Sequence, residues 1–284
     1  MVGPVGLIAG AGRFPLEVAR GARRSGHRVV AVAIRDLADA DLESEASECH
    51  WLPLGQLEAL LLAFREAGVH RCVMAGKVPK TFLYERGATL QPDARALEFL
   101  RGLGDRSDDS ILGALAELLT AEGFELQGQA ELTPELLAPE GRLGSLDPEP
   151  AHWDDIRFAW PVARALGRLD VGQSVVVRKR AVMALEAIEG TDQAIRRGGA
   201  LGGPGACVVK VAKPGQDPRF DMPTVGLATI ETLVEVKAAV LAVEAAATLV
   251  ITPGEVAAAA DAAGIPVVGI PASGPEAARA GGKS

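Results

Sequence analysis

The sequence predicts an α/β protein of two domains, the first built on a parallel sheet. Three observations carry that prediction. Short apolar runs such as Val5–Ala9 and Val29–Ile34 alternate with segments of helical period. Runs without polar interruption read as strands buried on both faces, joined by right-handed crossovers. At 284 residues the chain exceeds the ~100–200 of a usual domain. Hydrophobic residues reach 48% while aromatics are 4%, so the core must be aliphatic, which suits helices laid on parallel strands.

Val5–Ala9 is a buried strand that ends in the tight turn Gly10-Ala11-Gly12. Pro15 suits a helix start, where its missing N–H costs nothing, and the helix runs from Leu16 to Arg24 with Gly26 as its cap. Val29–Ile34 is the second strand, Leu54 to Ala67 an amphipathic helix closed by Gly68, and Arg71–Ala75 a strand ending in Gly76-Lys77. Helices are expected over Asp93 to Leu103 and Ser110 to Glu122, with an acidic loop between them and a last strand over Phe124 to Leu126. The alternation makes residues 1–132 a Rossmann-like unit. Residues 133–150, rich in Pro, Gly and Glu, read as a linker.

Residues 151–284 form the second α/β unit. A helix is expected from Trp153 to Leu169 despite Pro161, then a strand from Gln173 to Lys179 and a helix from Gln193 to Arg197. A strand over Ala206 to Ala212 runs into the polar loop Lys213-Pro214-Gly215-Gln216-Asp217. The tail reads as a helix (Ile230 to Ala246), a strand (Thr248 to Ile251), a helix (Pro253 to Ala263) and a strand (Pro266 to Ile270), with 275–284 fraying.

Charge narrows the function. Lys+Arg 29 against Asp+Glu 37 gives a net charge of -8. Nucleic acid is not an expected partner, since it demands a basic face. A mean hydropathy of +0.19 excludes disorder. No apolar run reaches the ~18–20 residues of a spanning helix, and the first residues carry no signal-peptide pattern. A soluble cytoplasmic protein is expected, touching a membrane from one side at most. Cys49, Cys72 and Cys207 show neither disulfide nor zinc spacing. The four histidines form no metal-binding pair.

Five constellations could carry chemistry. Gly10, Ala11, Gly12 and Arg13 lie between a strand and a helix, where backbone N–H groups can cradle a phosphate, with Asp36 available to a ribose hydroxyl. The third glycine of the dinucleotide fingerprint is absent, and an ordinary βα turn is the competing reading. Gly76 and Lys77 close another strand at the edge where such sheets bind ligands. Asp105, Asp108 and Asp109 suit a hard cation or, more simply, a helix cap. The densest segment runs from Lys210 through Lys213, Gln216, Asp217 and Arg219 to Asp221, with Thr224 close behind. Its cations can stabilise a phosphoryl group in transfer, and its carboxylates can hold a metal or orient a water. Glu186, Glu189, Thr191 and Asp192 are either ligands or a solvated stripe ending in a helix cap.

These stretches together resemble a known family, the UDP-2,3-diacylglucosamine pyrophosphatases of lipid A biosynthesis, the LpxI type. The matching segments are Gly6-Leu7-Ile8-Ala9-Gly10-Ala11-Gly12-Arg13-Phe14-Pro15, Gly76-Lys77-Val78, residues 170–177, Glu186-Ala187-Ile188-Glu189-Gly190-Thr191-Asp192, and 209–217 with 219–226. They span nearly the whole chain. Two departures are Met222 for a more usual leucine, and Arg178-Lys179-Arg180 for a lysine and glycine run.

The resemblance implies two α/β domains with the active site between them. It implies hydrolysis of the diphosphate of UDP-2,3-diacylglucosamine to UMP and 2,3-diacylglucosamine 1-phosphate (lipid X). Water would attack the sugar-side phosphorus, aided by Mg2+ or another divalent cation such as Mn2+. The essential aspartate of the family falls on Asp221, and residues 10–13 would face the nucleotide. Lys213, Asp217 and Arg219 join Asp221 as expected catalytic groups, with Asp221 and Asp217 as expected metal ligands. Gly10, Ala11, Gly12, Arg13, Gly76, Lys77, Thr191, Asp192, Lys210, Gln216 and Thr224 are expected to bind substrate. The lipid-like substrate implies peripheral contact with the inner membrane. The Ala-rich stretch from Val234 to Ala247, read as a helix, offers a face for a homodimer. A non-catalytic nucleotide-sugar or lipid carrier, and a dinucleotide-dependent oxidoreductase, are the competing functions.

Overall fold

The structure, a computed structural model, describes residues 3–79, 91–103 and 108–276, the side chains of 108 and 109 excepted. The chain divides into two compact units. One holds Met1–Pro134 together with Asp217–Asp221; the other holds Glu135–Gln216 and Met222–Ser284.

In the N-terminal unit, β1 (Val5–Ala9), β2 (Val29–Ile34), β3 (Glu48–Leu52), β4 (Arg71–Ala75) and β5 (Glu125–Leu126) form one sheet in the order β3-β2-β1-β4-β5. Every pairing is parallel. Chain order reverses between β1 and β4, so their C-terminal ends flank the switch point where open α/β sheets hold ligands. The expected parallel sheet is therefore present. It gains an edge strand, β3, whose Glu48-Cys49-His50-Trp51-Leu52 lacks the apolar run of its neighbours.

Among the described residues the helices of this unit are α1 (Phe14–Arg24), α2 (Leu42–Glu45), α3 (Leu57–Glu66), α4 (Ala94–Gly102) and α5 (Asp108–Ala121). One face packs Ile8, Val30, Val32 and Met74 against Leu61 and Phe64 of α3 and Leu119 of α5. Phe64 meets Phe124 edge to face, with centroids 5.8 Å apart, a geometry worth ~0.5–1.5 kcal/mol beyond its burial. α1 buries Leu16, Val18, Ala19 and Ala22.

The C-terminal unit has a mixed six-stranded sheet, ordered β6-β13-β11-β9-β7-β8. Its strands are β6 (Gly141–Arg142), β7 (Ser174–Arg178), β8 (Ala181–Leu185), β9 (Cys207–Lys210), β11 (Val240–Glu244) and β13 (Val267–Ile270). β9, β11 and β13 run parallel, while β6, β7 and β8 add antiparallel pairs. A separate parallel pair joins β10 (Thr224–Val225) to β12 (Leu249–Val250). α7 (Thr191–Gly202), α8 (Leu227–Glu235) and α9 (Pro253–Ala262) pack on one face around Ile195, Leu233 and Val256. α6 (Pro150–Arg168) packs on the other around Ile156, Trp160 and Leu166. Alternation on β9 sends Val208 to the first face and Cys207 and Val209 to the second.

Three expectations for this unit need correction. The helix predicted over Ile230 to Ala246 is α8 followed by β11. Lys237 adopts a left-handed φ of 53°, which stops helix growth, and Val240–Glu244 is buried as a central strand. The Ala-rich helical face offered for a homodimer is therefore absent. α6 begins at Pro150, three residues before the predicted start, because Glu149 and His152 form a capping box. Residues 186–190 are not helical, so Glu186 and Glu189 do not share a helix face.

β8 was not predicted, and its turn explains why. Lys179 and Arg180 take left-handed φ values of 50° and 57°, as a two-residue hairpin demands, although neither is Asn or Gly. Asp155 of α6, 8% exposed, accepts the N–H of Lys179 at 3.0 Å and that of Arg180 at 2.6 Å. The turn is stabilised from 24 residues away rather than by its own sequence.

Candidate active site

The two glycine turns read separately in the sequence are one structure. Gly10 N–H donates to Ala75 O at 2.8 Å, Ala11 N–H to Lys77 O at 2.8 Å, and Lys77 N–H to Ala11 O at 3.0 Å. The approach leaves no room for side chains. A Cβ on Gly10 would lie 2.7 Å from Lys77 O, and one on Gly76 (φ 88°) 2.7 Å from the Gly10 carbonyl carbon. The N–H groups of Gly10 and Ala11 are thus committed to the end of β4. A phosphate at this turn would be met by the α1 N-terminus from Gly12 onward. Arg13 and Lys77 are exposed, with Arg13 4.0 Å from Asp39. Asp36, expected near a ribose, is exposed just after β2 with φ 66°.

Asp217–Asp221 belongs to this same unit. Gln129, 6% exposed, ties it there. The Gln129 side chain donates to Met74 O of β4 at 3.0 Å, and its backbone N–H donates to Pro218 O at 2.9 Å. Phe220 packs against the cluster around Phe64. Within the segment, Asp217 O accepts the Phe220 and Asp221 N–H groups at 3.2 and 2.9 Å, forming a tight turn. Sequence reasoning missed Gln129, a lone glutamine after a two-residue strand that carries no motif.

Arg219 grips Asp217 with Nε and Nη2, at 2.6–3.1 Å from both carboxylate oxygens. These bonds hold the Asp217 carboxyl below the usual carboxylate range and raise the Arg219 guanidinium. Arg219 also lies 5.9 Å from the centre of the Phe220 ring. Asp221 is half-buried.

The C-terminal unit holds the remaining expected residues. Lys210, 5% exposed, donates from Nζ to Thr191 Oγ1 at 2.9 Å, and Thr191 donates onward to Glu186 Oε1 at 2.8 Å. Glu186 is 7% exposed, so a hydroxyl links two buried, opposite charges. Asp192 accepts from Thr229 at 3.4 Å. Glu189 instead pairs with Arg197, a surface contact. Lys213 Nζ meets Asp170 at 2.9 Å, and Gln216 Oε1 accepts the Lys213 N–H at 2.8 Å. Thr224 sits in β10. The charges of 210–221 are therefore largely engaged in defined pairs.

Asp217 and Asp221 are the expected metal ligands. Asp217 gives both oxygens to Arg219. Among the described residues, no group of three or more His, Cys, Asp or Glu side chains is arranged to hold a metal ion. Asp105 and the side chains of Asp108 and Asp109 lie outside the described residues. The thiols are poor ligands and nucleophiles: burial pushes Cys49 up to about 11 and Cys72 to about 12, and raises Cys207 further.

The LpxI N-terminal domain matches residues 4–136, and the LpxI C-terminal domain matches residues 139–268. The UDP-2,3-diacylglucosamine pyrophosphatase LpxI of Caulobacter vibrioides is 36% identical over 279 residues, covering 94% of this chain and 97% of that protein. Solved structures give weaker likenesses. The biotin carboxylase domain of a single-chain bacterial carboxylase is 20% identical, covers 63% of this chain and 36% of its own, and has a TM-score of 0.23. The biotin carboxylase domain of the Hydrogenobacter thermophilus 2-oxoglutarate carboxylase is 13% identical, covers 64% of this chain and 36% of its own, and has a TM-score of 0.26. Likenesses at those scores support nothing about this fold or its ligands. The near full-length identity to the Caulobacter protein, with both domains matched in order, decides the matter: the chain belongs to the LpxI family.

Proposed function

We propose that the chain hydrolyses the diphosphate of UDP-2,3-diacylglucosamine, giving UMP and 2,3-diacylglucosamine 1-phosphate in lipid A biosynthesis. The observation that carries this is the 36% identity, over 94% of the chain, to a pyrophosphatase of that name. The geometry of the N-terminal unit supports it. Gln129 ties the Asp221 segment to β4, and β4 ends in the turn that is zipped to Gly10.

In this reading a water oxygen bonds to the sugar-side phosphorus. The bridging oxygen leaves with UMP, and the attacking water gives up a proton. Asp221 orients that water and accepts its proton. Lys77, Lys210, Lys213 and Arg219 offset the charge that grows on the phosphoryl oxygens. The first turn of α1, with Gly12 and Arg13, takes the nucleotide phosphate. Thr191, Asp192, Gln216 and Thr224 bind substrate in the same proposal. Dependence on Mg2+ or another divalent cation belongs to the proposal; a bound cation would neutralise the diphosphate. A cytoplasmic location with peripheral membrane contact also belongs to it, because the substrate carries two acyl chains. No helix among the described residues is long and apolar enough to cross a membrane.

Hydrolysis in water labelled with heavy oxygen tests the chemistry. The label is expected in the diacylglucosamine 1-phosphate. Label in UMP contradicts sugar-side attack, and unchanged turnover in EDTA contradicts the cation.

A further inference from the structure

We propose that Glu244 is a positioning residue that sets the place of Lys213. The inference rests on the hydrolase reading and extends it to a residue outside every motif above. Glu244 ends β11 and is 4% exposed. Its Oε2 accepts the Ala212 N–H at 2.8 Å, and its two oxygens accept Nη1 of Arg164 at 3.0 and 3.1 Å. The same Arg164 Nη1 reaches Ala212 O at 3.4 Å. One ion pair, between the buried Glu244 carboxylate and a partly exposed Arg164, thus grips both backbone polar groups of the residue before Lys213.

The contacts beyond Ala212 continue the fixation. Gln216 holds the Lys213 N–H, and Asp170 meets its ammonium. Gly167 of α6 lies so close that a Cβ there would stand 3.4 Å from Lys213 Cα. A carboxylate buried as deeply as that of Glu244 is costly unless it is paired and hydrogen-bonded, as it is here. Here it fixes the exit of β9, and so the direction in which Lys213 leaves the sheet. Phosphoryl chemistry tolerates little displacement of such a cation.

A double-mutant cycle on the full chain tests this through UMP release. Glu244→Ala is expected to lower kcat about 10–100-fold with little change in KM. Lys213→Ala also lowers kcat, and the double variant is no worse than Lys213→Ala alone. Glu244→Gln keeps an acceptor for the Ala212 N–H and recovers most of the rate; should Glu244→Ala fail to fold, Glu244→Met, of similar volume and without an acceptor, takes its place in the cycle. Losses that multiply in the double variant overturn the inference. So does a wild-type kcat in folded Glu244→Ala or in Lys213→Ala. A wild-type chain that releases no UMP with any metal overturns the hydrolase reading, and this inference with it.

Discussion

Ala11 and Lys77 exchange two backbone hydrogen bonds, at 2.8 and 3.0 Å, and so lock the turn after β1 to the turn after β4. The lock stands at the switch point of the sheet, and it depends on two glycines. Gly76 has φ 88°, and a Cβ on it would press on the Gly10 backbone. Gly76→Ala is therefore expected to cost about 1–3 kcal/mol of stability from the left-handed backbone alone. It should also weaken turnover by displacing Lys77. Denaturant unfolding checks the first effect and steady-state assay the second; a variant as stable as wild type removes the lock from the account.

The β7–β8 turn offers a second test. Asp155→Ala leaves the N–H groups of Lys179 and Arg180 without their acceptor. A loss of about 1 kcal/mol per bond is expected, since water reaches the N–H groups of this exposed turn. Replacing Lys179-Arg180 by Asn-Gly should recover part of that loss, since those residues favour the turn by themselves. No rescue would mean that Asp155 acts elsewhere.

The sequence revealed those elements whose own residues determine them. β1, β2, β4 and β9 are short apolar runs buried on both faces, and are legible from their length and composition. β3 and β8 lie at sheet edges, where half-exposed strands need no such run. β11 reads as helix in the sequence because Ala-rich composition masks a Val-Leu-Ala-Val strand, and the break at Lys237 is conformational rather than compositional. The glycine turns and the 210–221 charges were legible as candidates. Their partners were not: Gln129 and Glu244 act through long-range hydrogen bonds that leave no local pattern.

Asp217 titrates under the control of Arg219. Its folded pKa is depressed, chiefly by the Arg219 side-chain bonds. The stabilisation it gives is therefore present above the unfolded value of about 3.9 and is lost as pH falls through the folded value. Arg219→Gln should move the Asp217 carboxyl upward in a carboxyl NMR titration and bring acid unfolding to higher pH. An unmoved titration would show that the pair does not persist in solution.

Thiol chemistry should be silent. With Cys49 raised to about 11 and Cys72 to about 12, almost no thiolate exists at neutral pH. The native protein is expected to resist a thiol-specific reagent and to keep full activity, while all three cysteines react after denaturation. Rapid loss of activity on labelling would place a cysteine at the site.

The most direct measurement compares UMP release from UDP-2,3-diacylglucosamine by the wild-type chain and by Asp221→Ala, with circular dichroism to confirm that both are folded. Wild type is expected to release UMP, and the variant to be slower by about 100- to 10,000-fold. A folded Asp221→Ala protein that turns over at the wild-type rate, or a wild type that binds the substrate without cleaving it, would contradict the account.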